Sequence, residues 1–329
     1  MNKIDKLVKP RQSKKFFNFH IKQNWALFKL INSSFWRSVE KWFMAFIFTF
    51  FFIVIFGYIN QAILITSSST HTKFVPALAF KSSLTGLVAL MVISTGLNSI
   101  PISIMEIKES VLMKRIGSTP IKPWMFIATV TFFYFLIMIG QILLTLFTIF
   151  LFFGFQNFIL SGTAENPVLV TGNQLFFSGF NIDNGFVQTN WGGYIFGMTY
   201  TMLLSVFLAI LIVSITKKSA SASMIGSMVY FLSMFLSGML FPLTVISNNN
   251  LLYDLSFISP FRYVNVLITI AWSGISIFDF NAINQNISND VLMIGIKNIA
   301  EVWTGYFVPL LFIVIALILS IYRFRWSTR

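Results

Sequence analysis

The sequence predicts an all-α polytopic membrane protein: six transmembrane helices, an N-terminal amphipathic interfacial helix, and an outer re-entrant or surface hairpin before the last span. Three observations lead there. Of 329 residues, 56% are hydrophobic and only 10% are charged, against about 25% charged in soluble domains. Apolar runs of the length needed to cross the hydrocarbon core, about 20 residues, occur six times. Lys and Arg gather at alternate ends of those runs, which is how charge sets topology.

The runs are 42–65, 77–102, 124–154, 193–216, 222–246 and 303–322. None carries a charge near its middle; Lys81 in the second lies near one end. The third is longer than needed and must tilt or start in the interface. Trp42, Trp124 and Trp303 open the first, third and sixth, and Trp191 precedes the fourth, as interfacial anchors do. Two regions result: a cytoplasmic basic tail with its amphipathic helix, 1–41, and a transmembrane domain, 42–329.

With the N-terminus in the cytoplasm, 19 of the 23 Lys and Arg fall inside. Only Lys73, Lys81, Arg262 and Lys297 fall outside. That asymmetry places both termini in the cytoplasm of a multi-pass plasma-membrane protein. The apolar segment 263–278 is too short to cross. A seventh span there would also carry the Arg-rich C-terminus outside, so it reads as re-entrant or surface-lying. The net charge of +13 is therefore topological, and nucleic acid is not the expected partner.

The N-terminal segment has helical period. At 100° per residue, Ile21, Trp25, Phe28, Ile31, Phe35 and Val39 share one face, and Lys22, Lys29, Ser33, Arg37 and Glu40 the other. An apolar stripe opposite a basic face is the pattern of a helix lying on the inner leaflet; a plain polybasic topology anchor is the alternative.

Chemistry is sparse. Cysteine is absent and histidine is limited to His20 and His71, which excludes disulfides, thiolate metal sites and His-cluster metal centres. All ten acidic residues lie in tails, loops or span ends, whereas ion-driven transporters bind the driving ion at ionisable groups inside the membrane. No Gly-Lys pair occurs, so there is no P-loop. Leu236-Ser237-Gly238 imitates the start of an ATP-binding-cassette signature but sits in an apolar run. There, and at Ser219–Ser223 and Gly226-Ser227, small residues suit close helix packing.

The loop 103–123 is the most informative. Glu106 and Glu109 followed by Lys114 and Arg115 fit a short helix whose charges suit its dipole. Gly117 stops it, and Pro120 and Pro123 lead into the third span. The order of Glu106, Glu109, Lys114, Arg115, Ile116, Thr119, Pro120 and Trp124 resembles the corresponding loop of type-2 ATP-binding-cassette exporter permeases. Pro242 and Ser259-Pro260-Phe261-Arg262-Tyr263 are similar to that family's outer hairpin.

The resemblance implies a coupling element that docks on a separate ATPase, with Val111, Leu112 and Ile116 as apolar contacts. It implies a second permease copy or a related permease, with ATP and Mg held by the ATPase and no cofactor on this chain. It also implies the amphipathic N-terminal helix, and so contact with the bilayer. The long outer connection 155–192 departs from the family; 247–302 is the other outer loop. Arg262 is expected to snorkel, to meet an anionic head group, or to pair with Asp254 or Asp279. The substrate expected of an exporter without internal charges is hydrophobic or amphipathic: a drug, or a lipid-linked or peptide-like molecule. A channel or facilitator is the rival, and a membrane-embedded lipid enzyme a weaker one, because no intramembrane acid–base constellation exists.

The charge asymmetry sets a topology test in a chain free of natural cysteine. Single cysteines at Ser68, Asn173 or Asn249 are expected to react with an impermeant thiol reagent applied outside. Those at Ser219 or Ser327 are not. Labelling at Ser327 from outside would restore the seventh span.

Overall fold

In the computed structural model the described residues are 11–67, 74–109, 123–153, 160–161, 168–169, 189–241, 243–247, 249–281, 283 and 296–323. Helix α1 (Arg11–Arg37) leads to a short α2 (Val39–Trp42), a π-helical turn (Phe43–Phe48) and α3 (Thr49–Ser67). The next rod is α4 (Phe74–Ser94), a second π-turn (Thr95–Ser99) and α5 (Ile100–Glu109). Then come α6 (Pro123–Phe153), α7 (Trp191–Ile215) and α8 (Ser219–Leu236). The chain ends with α9 (Leu243–Ser247), α10 (Asn250–Ser256), α11 (Pro260–Trp272) and α12 (Ile299–Arg323). Within the connection 155–192, β1 (Leu160–Ser161) pairs antiparallel with β2 (Val168–Leu169).

Among the described residues, six stretches are long and apolar enough to span a bilayer: Phe43–Asn60, Ser83–Glu109, Met125–Ile149, Trp191–Ile215, Ser219–Leu236 and Ile299–Ser320. The six expected spans are all present. The second is the axis of the bundle. It is 78% buried within the protein, against 28% for the first, fifth and sixth.

Small residues make that centrality possible, because lipid gives helices no hydrophobic reason to associate and close van der Waals approach must do so. A Cβ added at Gly96 would fall 2.5 Å from Ser205 Cβ on α7. One added at Gly226 on α8 would fall 2.1 Å from the Leu97 carbonyl oxygen. The expected packing role of Gly226 is thus visible.

Gly238 does something else. It takes φ +76° and ends the fifth helix at Leu236, ten residues short of the apolar run. The chain from Ser237 to Phe241 leaves helical geometry while Ser237, Met239 and Leu240 stay buried. Irregular backbone survives in a bilayer only where protein satisfies it. Asn265 Nδ2 donates to the Ser237 carbonyl at 3.1 Å, and Asn60 Nδ2 to the Leu240 carbonyl at 3.1 Å.

The expected hairpin is α10 and α11, bent 102° to one another. With 7 and 13 residues they rise only about 10 and 20 Å, so neither arm crosses alone. α11 inserts among α4, α7 and α12, and its side chains from Val264 to Trp272 are buried. α11 is thus packed among the spans and is not a surface-lying helix.

α1 packs along α6. Leu27, Ile31 and Phe35 are buried, and Phe28 and Phe35 meet Phe133 edge-on at 5.6 and 5.5 Å. The buried stripe is narrower than the expected apolar face. Trp25 and Val39 are 66% and 64% exposed and point away from the protein; the side chain of Ile21 lies outside the described residues.

Gly226→Ala is expected to destabilise the bundle by about 1–3 kcal/mol, the usual cost of overpacking. Thermal unfolding in detergent would read it. Ser221→Ala on the exposed side of α8 is expected to stay within about 0.5 kcal/mol of the parent.

Candidate functional site

Two clusters of functional side chains sit at opposite ends of the bundle. At the α1 end, the second span runs helically through Glu106 to Glu109. The two acids therefore ride on the last turns of that span and do not begin a separate helix, because the helix continues past its apolar run. Lys41 Nζ meets Glu106 Oε2 at 2.5 Å. Glu109 Oε1 accepts the Ser219 backbone N–H at 2.6 Å. Ser219 opens α8, and Lys218 before it provides no side-chain cap. A carboxylate from another helix thus supplies the acceptor that a helix N-terminus needs.

Both acids join helices. Glu106 ties the second span to the start of the first, and Glu109 ties it to the start of the fifth. Beside them opens a groove of about 830 Å³ between α1 and α5, lined by Lys29, Leu30, Ser33, Arg37, Glu106 and Ile107 among others. Its α1 wall is the basic polar face expected from the helical period. Val111, Leu112, Lys114, Arg115, Ile116, Thr119 and Pro120 lie outside the described residues.

At the opposite end, Pro260 begins α11 after Ser259, as proline does in a first helical turn. Pro242 lies outside the described residues. Arg262 neither snorkels nor pairs with Asp254 or Asp279. It is 1% exposed, and its Nη2 meets Glu301 Oε2 at 2.7 Å. Its Nη1 donates to Ser256 Oγ. The guanidinium also stands 4.2 Å from the Phe257 ring centroid and 4.7 Å from that of Tyr253.

Glu301 is filled from several sides. Its Oε1 accepts the Tyr253 hydroxyl at 2.5 Å and the Lys297 backbone N–H at 2.8 Å. Burial first, and then this carboxylate, push the Tyr253 phenol above its ordinary range. The cluster ties both arms of the hairpin to the start of the last span. A salt bridge this deep depends on further hydrogen bonds to its lone pairs and protons, and Ser256, the Tyr253 hydroxyl and the Lys297 N–H supply three of them.

Lys41, Ser219, Tyr253 and Glu301 did not emerge from the sequence as site residues. Glu301 had one readable signal, an acid in the first turn of an apolar helix.

A family model described as ABC-2 family transporter protein matches residues 59–322. No curated protein and no solved structure shows a match. The matched region begins inside the first span. It includes the loop after α5 and the hairpin, and it leaves α1 outside.

Removing one partner of the buried pair is the sharper perturbation. Arg262→Met alone is expected to cost about 3–5 kcal/mol, since Glu301 is left charged and buried. Arg262→Met with Glu301→Leu is expected to cost less than the single change. Melting temperatures of the two variants in detergent would check the order.

Proposed function

The chain belongs to the ABC-2 family of transporter proteins, and on that premise we propose that it is the permease subunit of an ATP-driven exporter. In this reading the α1 end faces the cytoplasm and carries a separate ATPase. A second permease, identical or related, completes the translocation path. ATP and Mg are bound by the ATPase.

The observation that carries the reading is the end of the second span, Glu106 to Glu109, from which the loop continues. This is the most buried span, and the two acids are bonded to the starts of the first and fifth spans. A push on the end of α5 therefore reaches three spans through Glu106 and Glu109, the requirement for rigid-body coupling. The groove beside it offers Lys29 and Arg37 over an apolar floor of Leu30 and Ile107, a surface suited to an acidic and apolar partner edge. Lys41–Glu106 is half exposed on the Glu106 side. Such pairs contribute only about 0–1 kcal/mol, so docking can replace one at little cost.

α1 lies along the inner leaflet. Trp25 and Trp36 are both exposed on one edge of α1, which faces the headgroups while Leu27, Ile31 and Phe35 grip α6. Among the described residues, Arg262 and Glu301 are the buried charged side chains, and they neutralise each other. A path without free charge favours a hydrophobic or amphipathic substrate.

The rival reading, an ATP-independent channel, separates on one experiment. Leu112→Asp and Ile116→Asp each place a charge where apolar docking contact is proposed, and truncating such an anchor typically costs about 2 kcal/mol or more. In vesicles reconstituted with the ATPase and ATP, either change is expected to stop substrate flux while the permease still inserts. Flux that persists without the ATPase, and ignores both changes, would favour the channel.

A further inference from the structure

We propose that the π-turn Thr95–Ser99 is the joint at which α5 moves relative to α4, and that Gln141, which also holds the π-turn of the first span, is the positioning residue keeping that joint in the state seen here. Its place in the transport cycle rests on the coupling role proposed for 106–120. The joint itself does not.

A π-turn adds a residue to a helical turn and loosens the regular ladder, and such turns concentrate at functional sites. The second span contains one at Thr95–Ser99, where the Ile100 N–H reaches back five residues to the Thr95 carbonyl. The first span contains another at Phe43–Phe48. Gln141 of α6 lies between them, 1% exposed. Its Oε1 accepts the Thr95 hydroxyl at 2.8 Å, and its Nε2 donates to the Ala45 carbonyl at 2.7 Å. That carbonyl also accepts the Thr49 hydroxyl at 2.8 Å. One amide thus pins both turns.

The remaining neighbours grip the second π-turn without filling it. Gly96 lies against Ser205 of α7, and the Leu97 carbonyl against Gly226 of α8. Ser227 Oγ donates to Asn98 Oδ1 at 3.2 Å. Four successive residues of one turn, Thr95 to Asn98, therefore touch three different helices. Beyond the turn, α5 carries Glu106 and Glu109. A π-turn can exchange five-residue for four-residue hydrogen bonds, so α5 can swing without exposing its backbone to lipid. A packing role alone would be met by leucine. Both polar ends of Gln141 are instead committed to π-turn atoms.

The test uses the full chain, alone, in lipid vesicles, so its result does not depend on an ATPase. Spin labels on cysteines at Lys108 and Leu136 report α5 against α6. A second pair at Leu251 and Asn281 reports the hairpin end. The parent is expected to give one narrow distance for each pair. Gln141→Leu is expected to broaden the first pair or add a second distance, and to leave the hairpin pair unchanged. Thr95→Val, which removes one bond and little volume, is expected to broaden the first pair less.

Gln141→Glu supplies a rescue that packing cannot imitate. A neutral buried carboxyl still accepts from Thr95 and donates to Ala45, whereas the ionised form cannot donate. Burial favours the neutral form. The narrow distance should return at about pH 5 and be lost at about pH 10. No change in the first pair with Gln141→Leu would overturn the proposal. Equal broadening of both pairs, or broadening by Gln141→Glu that ignores pH, would overturn it as well, by marking general loosening.

Discussion

In hydrocarbon no backbone polar group can be left to water, and that constraint is hardest to meet at the two π-turns, which a single amide joins in the middle of the bundle. Gln141 Nε2 donates to the Ala45 carbonyl of the first turn and its Oε1 accepts the Thr95 hydroxyl of the second, while Gly96 and Gly226 let α7 and α8 approach closely. Five spans meet at that one level. The same constraint explains the broken end of the fifth helix, where Asn60 and Asn265 supply donors to carbonyls that no helix provides for.

The two ends of the molecule are built to different strengths. At the hairpin end, Arg262 and Glu301 are buried, bonded to each other, and surrounded by Tyr253, Ser256 and Phe257. Separating such a pair costs several kcal/mol, whereas a half-exposed pair contributes at most about one. At the α1 end the ties are of the second kind, with Glu106 open to water on one side. The hairpin end is fixed, and the α1 end can exchange partners. The proposed coupling at the α1 end would use that contrast.

Much of the architecture was legible in the sequence. Hydropathy marks all six spans, since a run of about 20 apolar residues has few other uses. The shortness of 263–278 marks the hairpin. The partner of Arg262 was not legible, because Glu301 is 39 positions away and chain proximity favoured Asp254 and Asp279. The face of α1 was legible only in part. Trp25 sits about 120° around the helix from Ile31, at the edge of a stripe whose centre is taken by α6. Hydropathy alone does not divide such a stripe between protein and lipid. The π-turns carry no compositional mark at all. The positively charged half of the loop, Lys114 to Pro120, lies outside the described residues and stands on the resemblance and on the family.

Contact between the loop and an ATPase is the claim on which the functional reading turns. A photo-reactive amino acid placed at Leu112, and separately at Leu251 of the hairpin end, would report what touches each site in native membranes. Docking at the α1 end predicts a cross-link from position 112 to an ATP-binding-cassette ATPase, and none to it from position 251. A chain that cross-links no ATPase from position 112, yet passes substrate in purified vesicles without ATP, would contradict it.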